Sequence, residues 1–208
     1  PPEERLPIKT YVMEFSEQVI SEAVEKELAR AGQVFFVHDR VRSIYSIARM
    51  LQGLVPQAKI GVVHGQMKAS EIEKSMTSFL RREVDVLVST TIVASGLDIP
   101  TANTIIINRA DHLGLAQLYQ LRGRVGRSDK ESFAYLLLPP GAMLSAETMK
   151  RLQALKEFSQ PGSGFRIARN DLEIRGGGNL RGGGCCVCMD DDRGGYEQPE
   201  CGKSGCSL

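Results

Sequence analysis

The runs DVLVS at residues 85–89 and TIII at residues 104–107 decide the fold class, because both are short, β-branched and apolar on both faces. Strands of this kind are typical of parallel sheets that carry helices on both sides. Runs of the same character recur at residues 8–15, 33–37, 59–63 and 133–138, and they alternate with amphipathic stretches. The sequence therefore predicts an α/β domain with a doubly wound parallel sheet, whose sites lie at the carboxyl ends of the strands.

Helical patterns fill the gaps between these runs. Residues 16–31 carry an apolar stripe, with Ser16 placed to cap the helix and Gly32 placed to end it. The capping-box pattern from Ser70 to Glu73 predicts a helix that runs to about Arg82. A further helix is expected at residues 145–158, after the last strand, as the start of a C-terminal helical appendage.

Composition limits the classes of function. The 208 residues carry a formal net charge of +1, so any nucleic-acid contact on this chain has to be local. No apolar run approaches the roughly 20 residues that span a bilayer, and we expect a cytoplasmic protein without a membrane. All the cysteines lie between positions 185 and 206, which leaves the main body without a disulfide framework. The spacing of the cysteines is irregular for a zinc site, so we predict no metal site. A zinc-binding protein built on this tail is the alternative.

The segment QLRGRVGR at residues 120–127 is the first candidate for chemistry. Arg124 and Arg127 are three residues apart, so on a helical turn both guanidinium groups point to one side. Two such groups suit a polyphosphate, because each stays charged and binds oxygens in a bidentate manner. The alternative is an arginine-rich helix end that faces solvent and binds no ligand.

Two further segments follow predicted strands. In the first, the run at residues 86–100 places Thr90 and Thr91 at a strand end and Asp98 beyond a helical turn, where hydroxyl and backbone N–H groups suit a phosphate. The alternative is a capped loop in which these side chains serve only local turns. In the second, His64 and Gly65 come directly after a strand, and the glycine leaves room for a nucleic-acid strand.

A complete ATPase also needs a phosphate-binding loop of the form GxxxxGK[ST] after a strand. The one GKS tripeptide, at residues 202–204, follows no strand, and no Asp-Glu metal-binding box is present. The chain therefore offers arginines for a nucleotide site but lacks the Walker A and B elements. We expect it to be part of an ATP-hydrolysing enzyme and inactive alone.

Together these motifs resemble the second RecA-like domain of superfamily 2 helicases. They resemble in particular the bacterial transcription-repair coupling factors, and the RecG helicases are the near rival. The resemblance is carried by HGQM at 64–67, GLDIPTANTIII at 96–107, QLRGRVGRS at 120–128 and DLEIRG at 171–176. It implies a RecA-like helicase domain at residues 1–142, a translocation-motif hairpin at 143–181 and a disordered or foreign Cys/Gly-rich tail at 182–208.

The resemblance also implies roles for individual residues. Arg124 and Arg127 would be arginine fingers, while Gly96, Asp98 and Gln120 would face the nucleotide or link the motifs around it. His64, Gly65, Thr90 and Thr91 would contact DNA, and Arg175 would couple hydrolysis to movement.

The cofactors implied are ATP and Mg²⁺, held mainly by a first RecA-like domain of the same protein. The partners implied are double-stranded DNA and, through the intact protein, RNA polymerase. The function implied is ATP-driven translocation on double-stranded DNA in transcription-coupled repair. The alternatives are a fragment of a RecG-type fork-reversal helicase and a docking module without catalysis.

Overall fold

The computed structural model describes residues 6–96, 101–126 and 130–157. All six predicted strands are present, and most are within one or two residues of the expected bounds. The strands are β1 (Lys9–Glu14), β2 (Gln33–His38), β3 (Ile60–Val63), β4 (Val86–Thr90), β5 (Ala102–Asn108) and β6 (Phe133–Leu138). The helices are α1 (Glu17–Ala29), α2 (Val41–Leu54), α3 (Ala69–Leu80), α4 (Thr91–Gly96), α5 (Leu115–Arg122) and α6 (Ala146–Glu157), with a 3₁₀ turn at Ala110–His112.

The six strands form one sheet in the order β1-β6-β5-β2-β4-β3, and every pairing is parallel. The carboxyl ends of all six strands therefore meet at one edge of the sheet. The predicted fold class, a RecA-like doubly wound parallel sheet, is confirmed.

Two apolar layers hold the helices to the sheet. On one face, α1 and α2 bury Ile20, Val24, Ile44 and Leu51 against side chains such as Phe36. On the other face, α3 to α6 cover the side chains that point the opposite way along the same strands. Their largest buried members are Phe35, Phe79, Leu87, Ile105, Ile107, Leu115, Leu118, Leu121 and Leu155. Alternate residues of one strand thus enter opposite layers, as the period of a strand requires.

The ends of α1 and α3 show which of the predicted helix caps are present in the structure. The Ser16 hydroxyl accepts a hydrogen bond from the backbone N–H of Val19, as predicted. The chain reverses after α1 at Ala31, which has a φ of 54°, and not at Gly32. The cap of α3 was also predicted at the wrong residue: the Glu71 carboxylate accepts from the backbone N–H of Lys68, at 3.0 Å, two residues before Ser70.

The last described helix, α6, packs on the sheet through Leu152, Ala154 and Leu155, all of them buried. Met149, which was expected on the same apolar stripe, is 55% exposed. The proposed boundaries at residues 142 and 181 stay predictions, and residues 158–208 lie outside the described part. None of the helices among the described residues combines the length and apolar character needed to cross a bilayer.

Candidate functional site

Polar side chains form a row along the carboxyl edge of the four strands at the β3 side of the sheet. His38 at the end of β2 lies opposite Thr90 at the end of β4. Val63 pairs with Ser89, so His64 follows on the next strand. Asn108 at the end of β5 lies on the other side of His38, with its side-chain nitrogen 3.2 Å from Nδ1 of the imidazole. Parallel strand order thus brings the predicted residues Thr90 and His64 to one edge.

His64 is buried and is held by an aromatic partner. Its Nε2 lies 3.0 Å from the hydroxyl of Tyr45 on α2, and the two rings meet edge to face at 5.6 Å between centroids. Its Nδ1 is buried and has no partner among the described residues. The next residue, Gly65, is exposed, and a Cβ built there would meet nothing within 4 Å. The backbone at Gly65 is therefore open to a ligand, whereas the His64 ring is almost covered.

Thr90 and Thr91 mark the point where β4 passes directly into α4. Both side chains are buried, and the hydroxyl of Thr91 has no partner among the described residues. The Ser95 hydroxyl closes the helical turn by donating to the Thr91 carbonyl at 2.9 Å. Of the four residues predicted to contact nucleic acid, only Gly65 is exposed in this conformation.

A second polar group lies beside His38 and was missed by the sequence analysis. Asp39 accepts from Nδ1 of His112 at 2.9 Å, and Arg109 pairs with Asp111 at 3.3 Å. Arg109 has a φ of 57°, a left-handed conformation that is uncommon for a residue with a side chain. The sequence signal was present, because these polar residues directly follow two adjacent buried strands.

Burial lowers the pKa of the His38 imidazole below its ordinary value. The hydroxyl of Ser43 lies 2.7 Å from Nε2, and the Asn108 amide reaches Nδ1. A neutral ring satisfies both contacts, because it donates from Nε2 to Ser43 and accepts at Nδ1 from the amide. A proton on Nδ1 would face the N–H groups of Asn108, so burial and these two contacts favour the uncharged form, whereas the Asp39 carboxylate, 3.9 Å from Nδ1, acts in the opposite direction.

The arginine-rich segment does not continue as a helix. Helix α5 ends at Arg122, and Gly126 takes a φ of +79°, so Arg124 does not lie on the helical turn that the spacing argument assumed. That premise was wrong. Arg124 is half-buried, and its Nη2 donates a hydrogen bond to the carbonyl of Ser95. The end of α5 is thereby joined to α4, one residue before Gly96.

Gln120 was predicted to link the arginine segment to the nucleotide or to the segment around Gly96. Its side chain is exposed on α5. Among the described residues, the hydrogen bond that joins the two segments comes from Arg124 and not from Gln120.

Arg122 is a buried residue of this segment that the sequence analysis did not single out. Its Nη1 donates to the carbonyl of Leu155 on α6 at 2.7 Å, and the guanidinium lies 5.2 Å from the centre of the Tyr119 ring. Burial lowers the pKa of Arg122 from its ordinary value. The signal was its position seven residues after Leu115, on the same buried side of α5.

Three predicted site residues, Asp98, Arg127 and Arg175, lie outside the described residues. Within the described ranges, no group of three or more His, Cys, Asp or Glu side chains is arranged to hold a metal ion.

The chain matches the model of a known protein family, and this match gives the class of protein. Residues 16–129 match the model of the helicase conserved C-terminal domain, which is more than half of the chain. The chain belongs to this helicase family.

Its curated relatives narrow the class. The chain is 53% identical over 182 residues to the transcription-repair-coupling factor of Myxococcus xanthus and to that of Staphylococcus epidermidis. The match covers 88% of this chain but only 15% and 16% of those proteins, so the chain corresponds to a small part of their length. The resemblance to the transcription-repair coupling factors is confirmed.

Solved structures agree with the fold. The structure of RecG bound to a three-way DNA junction matches with a TM-score of 0.70 and 35% identity, covering 86% of this chain and 23% of that one. RecG, the predicted rival, is therefore a structural neighbour. The C-terminal domain of the DEAD-box protein Dbp5 matches with a TM-score of 0.52 at 20% identity, covering 71% of this chain and 84% of that one, and supports the fold alone.

Proposed function

We propose that this chain is the second RecA-like half of an ATP-dependent double-stranded DNA translocase that acts in transcription-coupled repair. The observation that carries the proposal is the hydrogen bond from Arg124 to the Ser95 carbonyl. It holds a guanidinium beside α4, the element that continues directly from the polar carboxyl edge at Thr90. Identity of 53% to transcription-repair-coupling factors supports the same assignment.

In this proposal the nucleotide lies between this chain and a first RecA-like domain of the same protein. Arg124 and Arg127 act as arginine fingers on the phosphates of ATP, while Gly96, Asp98 and Gln120 face the nucleotide. The described residues supply a guanidinium for phosphate but no cluster of carboxylates, so they fit one wall of such a site. Mg²⁺ would be held by the first domain, and bound ATP·Mg²⁺ would supply the phosphoryl group that is hydrolysed.

DNA is proposed to lie along the carboxyl edge, at His64, Gly65, Thr90 and Thr91. The main support for this DNA path is Gly65, because it is exposed and has open space where a Cβ would be. Arg175 would couple hydrolysis to movement on double-stranded DNA. RNA polymerase would be a partner of the intact protein, whose place of action is the cytoplasm.

The test is a chimera. The matching segment of the Myxococcus xanthus factor is replaced by residues 6–180 of this chain, and ATP hydrolysis is measured with and without double-stranded DNA. We expect DNA-stimulated turnover in the chimera and a loss of about 10³-fold or more in the Arg124→Ala variant. ATP binding by the same variant, followed with a fluorescent analogue, should change much less.

Two controls sharpen this test. Arg124→Lys keeps the positive charge but loses the planar fork, so it should recover only a small part of the rate. The 208-residue chain without a partner should show no DNA-stimulated hydrolysis. Normal turnover by the chain alone, or full activity of the Arg124→Ala chimera, would overturn the proposal.

A RecG-type fork-reversal function is the second candidate, favoured by the TM-score of 0.70 to RecG on a DNA junction. The chimera separates the two. If the chain comes from a coupling factor, as proposed, the chimera should displace stalled RNA polymerase at the rate of the parent. A chimera that moves on DNA and leaves RNA polymerase in place would favour the RecG-type fork-reversal function.

A further inference from the structure

One stretch of the chain has a charge balance unlike the rest. Residues 40–70 contain no Asp or Glu, and their basic residues are Arg40, Arg42, Arg49, Lys59 and Lys68. In the whole chain, 26 basic residues are balanced by 25 acidic ones. The local excess is therefore a property of α2 and the segments on either side of β3, and the net charge of +1 conceals it.

The exposed side of α2 concentrates this charge. Arg42, Tyr45, Ser46 and Arg49 are all exposed and lie at helical spacing, so they form one surface, which we call the α2 basic face. The opposite side of the helix buries Ile44 and Leu51 in the core. Among the described residues, neither arginine forms an ion pair with an acidic side chain.

The neighbouring helix in the same layer has the opposite character. Helix α1 exposes Glu17, Glu22 and Glu25 and packs against the same apolar cluster as α2. One side of the domain is thus divided into an acidic helix and a basic helix. A polyanion would be repelled from α1 and attracted to α2, which fixes where it could lie on this surface.

Tyr45 connects the α2 basic face to the carboxyl edge of the sheet. Its side chain is 53% exposed, yet its hydroxyl lies 3.0 Å from Nε2 of the buried His64. The other ring nitrogen of His64 is buried without a partner among the described residues. If Nε2 carries the proton, the phenol oxygen accepts from it and its own O–H is free to donate outward. Tyr45 thus links the α2 basic face to His64, the residue directly before Gly65.

We propose that the α2 basic face binds the phosphate backbone of DNA, with Arg42 and Arg49 pairing with phosphates and Tyr45 donating a hydrogen bond to a phosphate oxygen. The proposal rests on the proposed function and extends the DNA path from the carboxyl edge onto the outer side of α2. Guanidinium groups bind phosphate oxygens in a bidentate manner, and such contacts release counterions from DNA. A backbone contact of this kind carries no sequence preference, as a translocase requires.

The test measures binding of the full 208-residue chain to a short labelled DNA duplex by fluorescence anisotropy at several KCl concentrations. Each phosphate contact contributes about 0.9 to the slope of log affinity against log salt. The double variant Arg42→Gln with Arg49→Gln should therefore lower the slope by about 1.8 and the affinity by about 60-fold at about 0.1 M salt. Tyr45→Phe should weaken binding by roughly three- to tenfold, because it removes one hydroxyl and keeps the ring.

Matched controls come from other parts of the fold. Lys74→Gln with Arg81→Gln removes the same charge from exposed positions at α3, which covers the other face of the sheet. Tyr11→Phe removes a hydroxyl from a 40% exposed tyrosine on the edge strand β1. Neither control should change the salt slope by more than a small fraction of the α2 effect. Equal losses in both charge pairs would show an effect of net charge and overturn the proposed site.

The remaining outcomes separate this proposal from the proposed function. If Gly65→Asp weakens DNA binding and the α2 variants do not, the carboxyl-edge path stands and the α2 proposal is overturned. If the α2 variants bind DNA normally but lose binding to a polyglutamate peptide, the face serves an acidic protein and the proposal is again overturned. If the unaltered chain shows no salt-dependent binding to DNA, the α2 proposal falls together with the proposed DNA contacts, and the ATPase test of the chimera is unaffected.

Discussion

Replacing Gly32 with alanine is the sharpest test of how this domain is held together. A Cβ at this position would lie 1.7 Å from Oε1 and 2.6 Å from Cδ of Glu27, distances that real atoms do not reach. Gly32 does not have a positive φ, so its backbone would otherwise accept alanine. The whole expected effect of Gly32→Ala therefore comes from the displacement of one buried carboxylate.

That carboxylate joins the end of α1 to β5. Its Oε2 accepts a hydrogen bond from the Thr104 hydroxyl on β5 at 2.5 Å and from Nε of Arg30 at 3.0 Å. The Glu27 side chain is 1% exposed and that of Arg30 is 25% exposed. Breaking a buried pair costs about 3–5 kcal/mol, and the partial exposure of Arg30 places this case at the lower end, about 3 kcal/mol. For a domain stabilised by about 5–15 kcal/mol, this is a large fraction.

The assay is urea unfolding followed by circular dichroism, arranged as a double-mutant cycle. Gly32→Ala should cost about 3 kcal/mol in the unaltered protein, and in the Glu27→Ala background it should be neutral or stabilising by up to about 1 kcal/mol. Gly53→Ala is the control, because nothing lies within 4 Å of its Cβ and it should gain roughly 0.5–1 kcal/mol. An equal loss from Gly32→Ala in both backgrounds would refute the clash with Glu27 as the cause.

Two further variants test the polar groups of the site. His38 has a lowered pKa in the folded protein, so the unfolded chain binds its proton more readily below about pH 6.5 and the fold loses stability as the pH falls. His38→Gln should remove this loss, at most about 1.4 kcal/mol between pH 6.5 and 5.5, in unfolding measurements at both pH values; an unchanged pH dependence would contradict it. Arg122→Met keeps an unbranched side chain but removes the donor to the Leu155 carbonyl, and should cost about 1.5–3 kcal/mol in the same unfolding assay. No loss in Arg122→Met would mean that the contact between α5 and α6 is not stabilising.

The strands could be predicted from the sequence because each one is apolar on both faces and must be covered on both. The order of the strands in the sheet could not be predicted, because it depends on pairing between segments that are distant in the sequence. The insertion of β6 between β1 and β5 is one example. The rule that parallel strands place their sites at one edge did predict that Thr90 and His64 would lie at the same edge of the sheet. Their burial could not be predicted, since it depends on Tyr45 and α4 packing over them.

Buried charge was the main failure of sequence reasoning. Glu27 lies four residues after Ala23 and Arg122 lies seven after Leu115, so both occupy positions on the apolar stripes of their helices. A charged residue at such a position is ordinarily assigned to the surface, because an unpaired buried charge is costly. Glu27 is tolerated because Arg30 pairs with its charge and Thr104, far along the chain, donates a hydrogen bond. Arg122 is tolerated because it donates to the distant Leu155 carbonyl. Such distant partners cannot be identified before the fold is known.

The bond between Arg124 and Ser95 gives a physical reason why an arginine finger would need to be an arginine. One nitrogen of the guanidinium is bound to the Ser95 carbonyl, and among the described residues the remaining N–H groups have no hydrogen-bond acceptor and would be available for phosphate oxygens. If Arg124 acts as a finger, as proposed, this orientation would reduce the side-chain entropy that it loses when the nucleotide binds. Lysine has a single nitrogen on a flexible chain, so it would have to divide its donors between the carbonyl and the phosphate at one point in space. Because Ser95 lies one helical turn after Thr91, the same contact fixes Arg124 relative to the edge where DNA is proposed to bind.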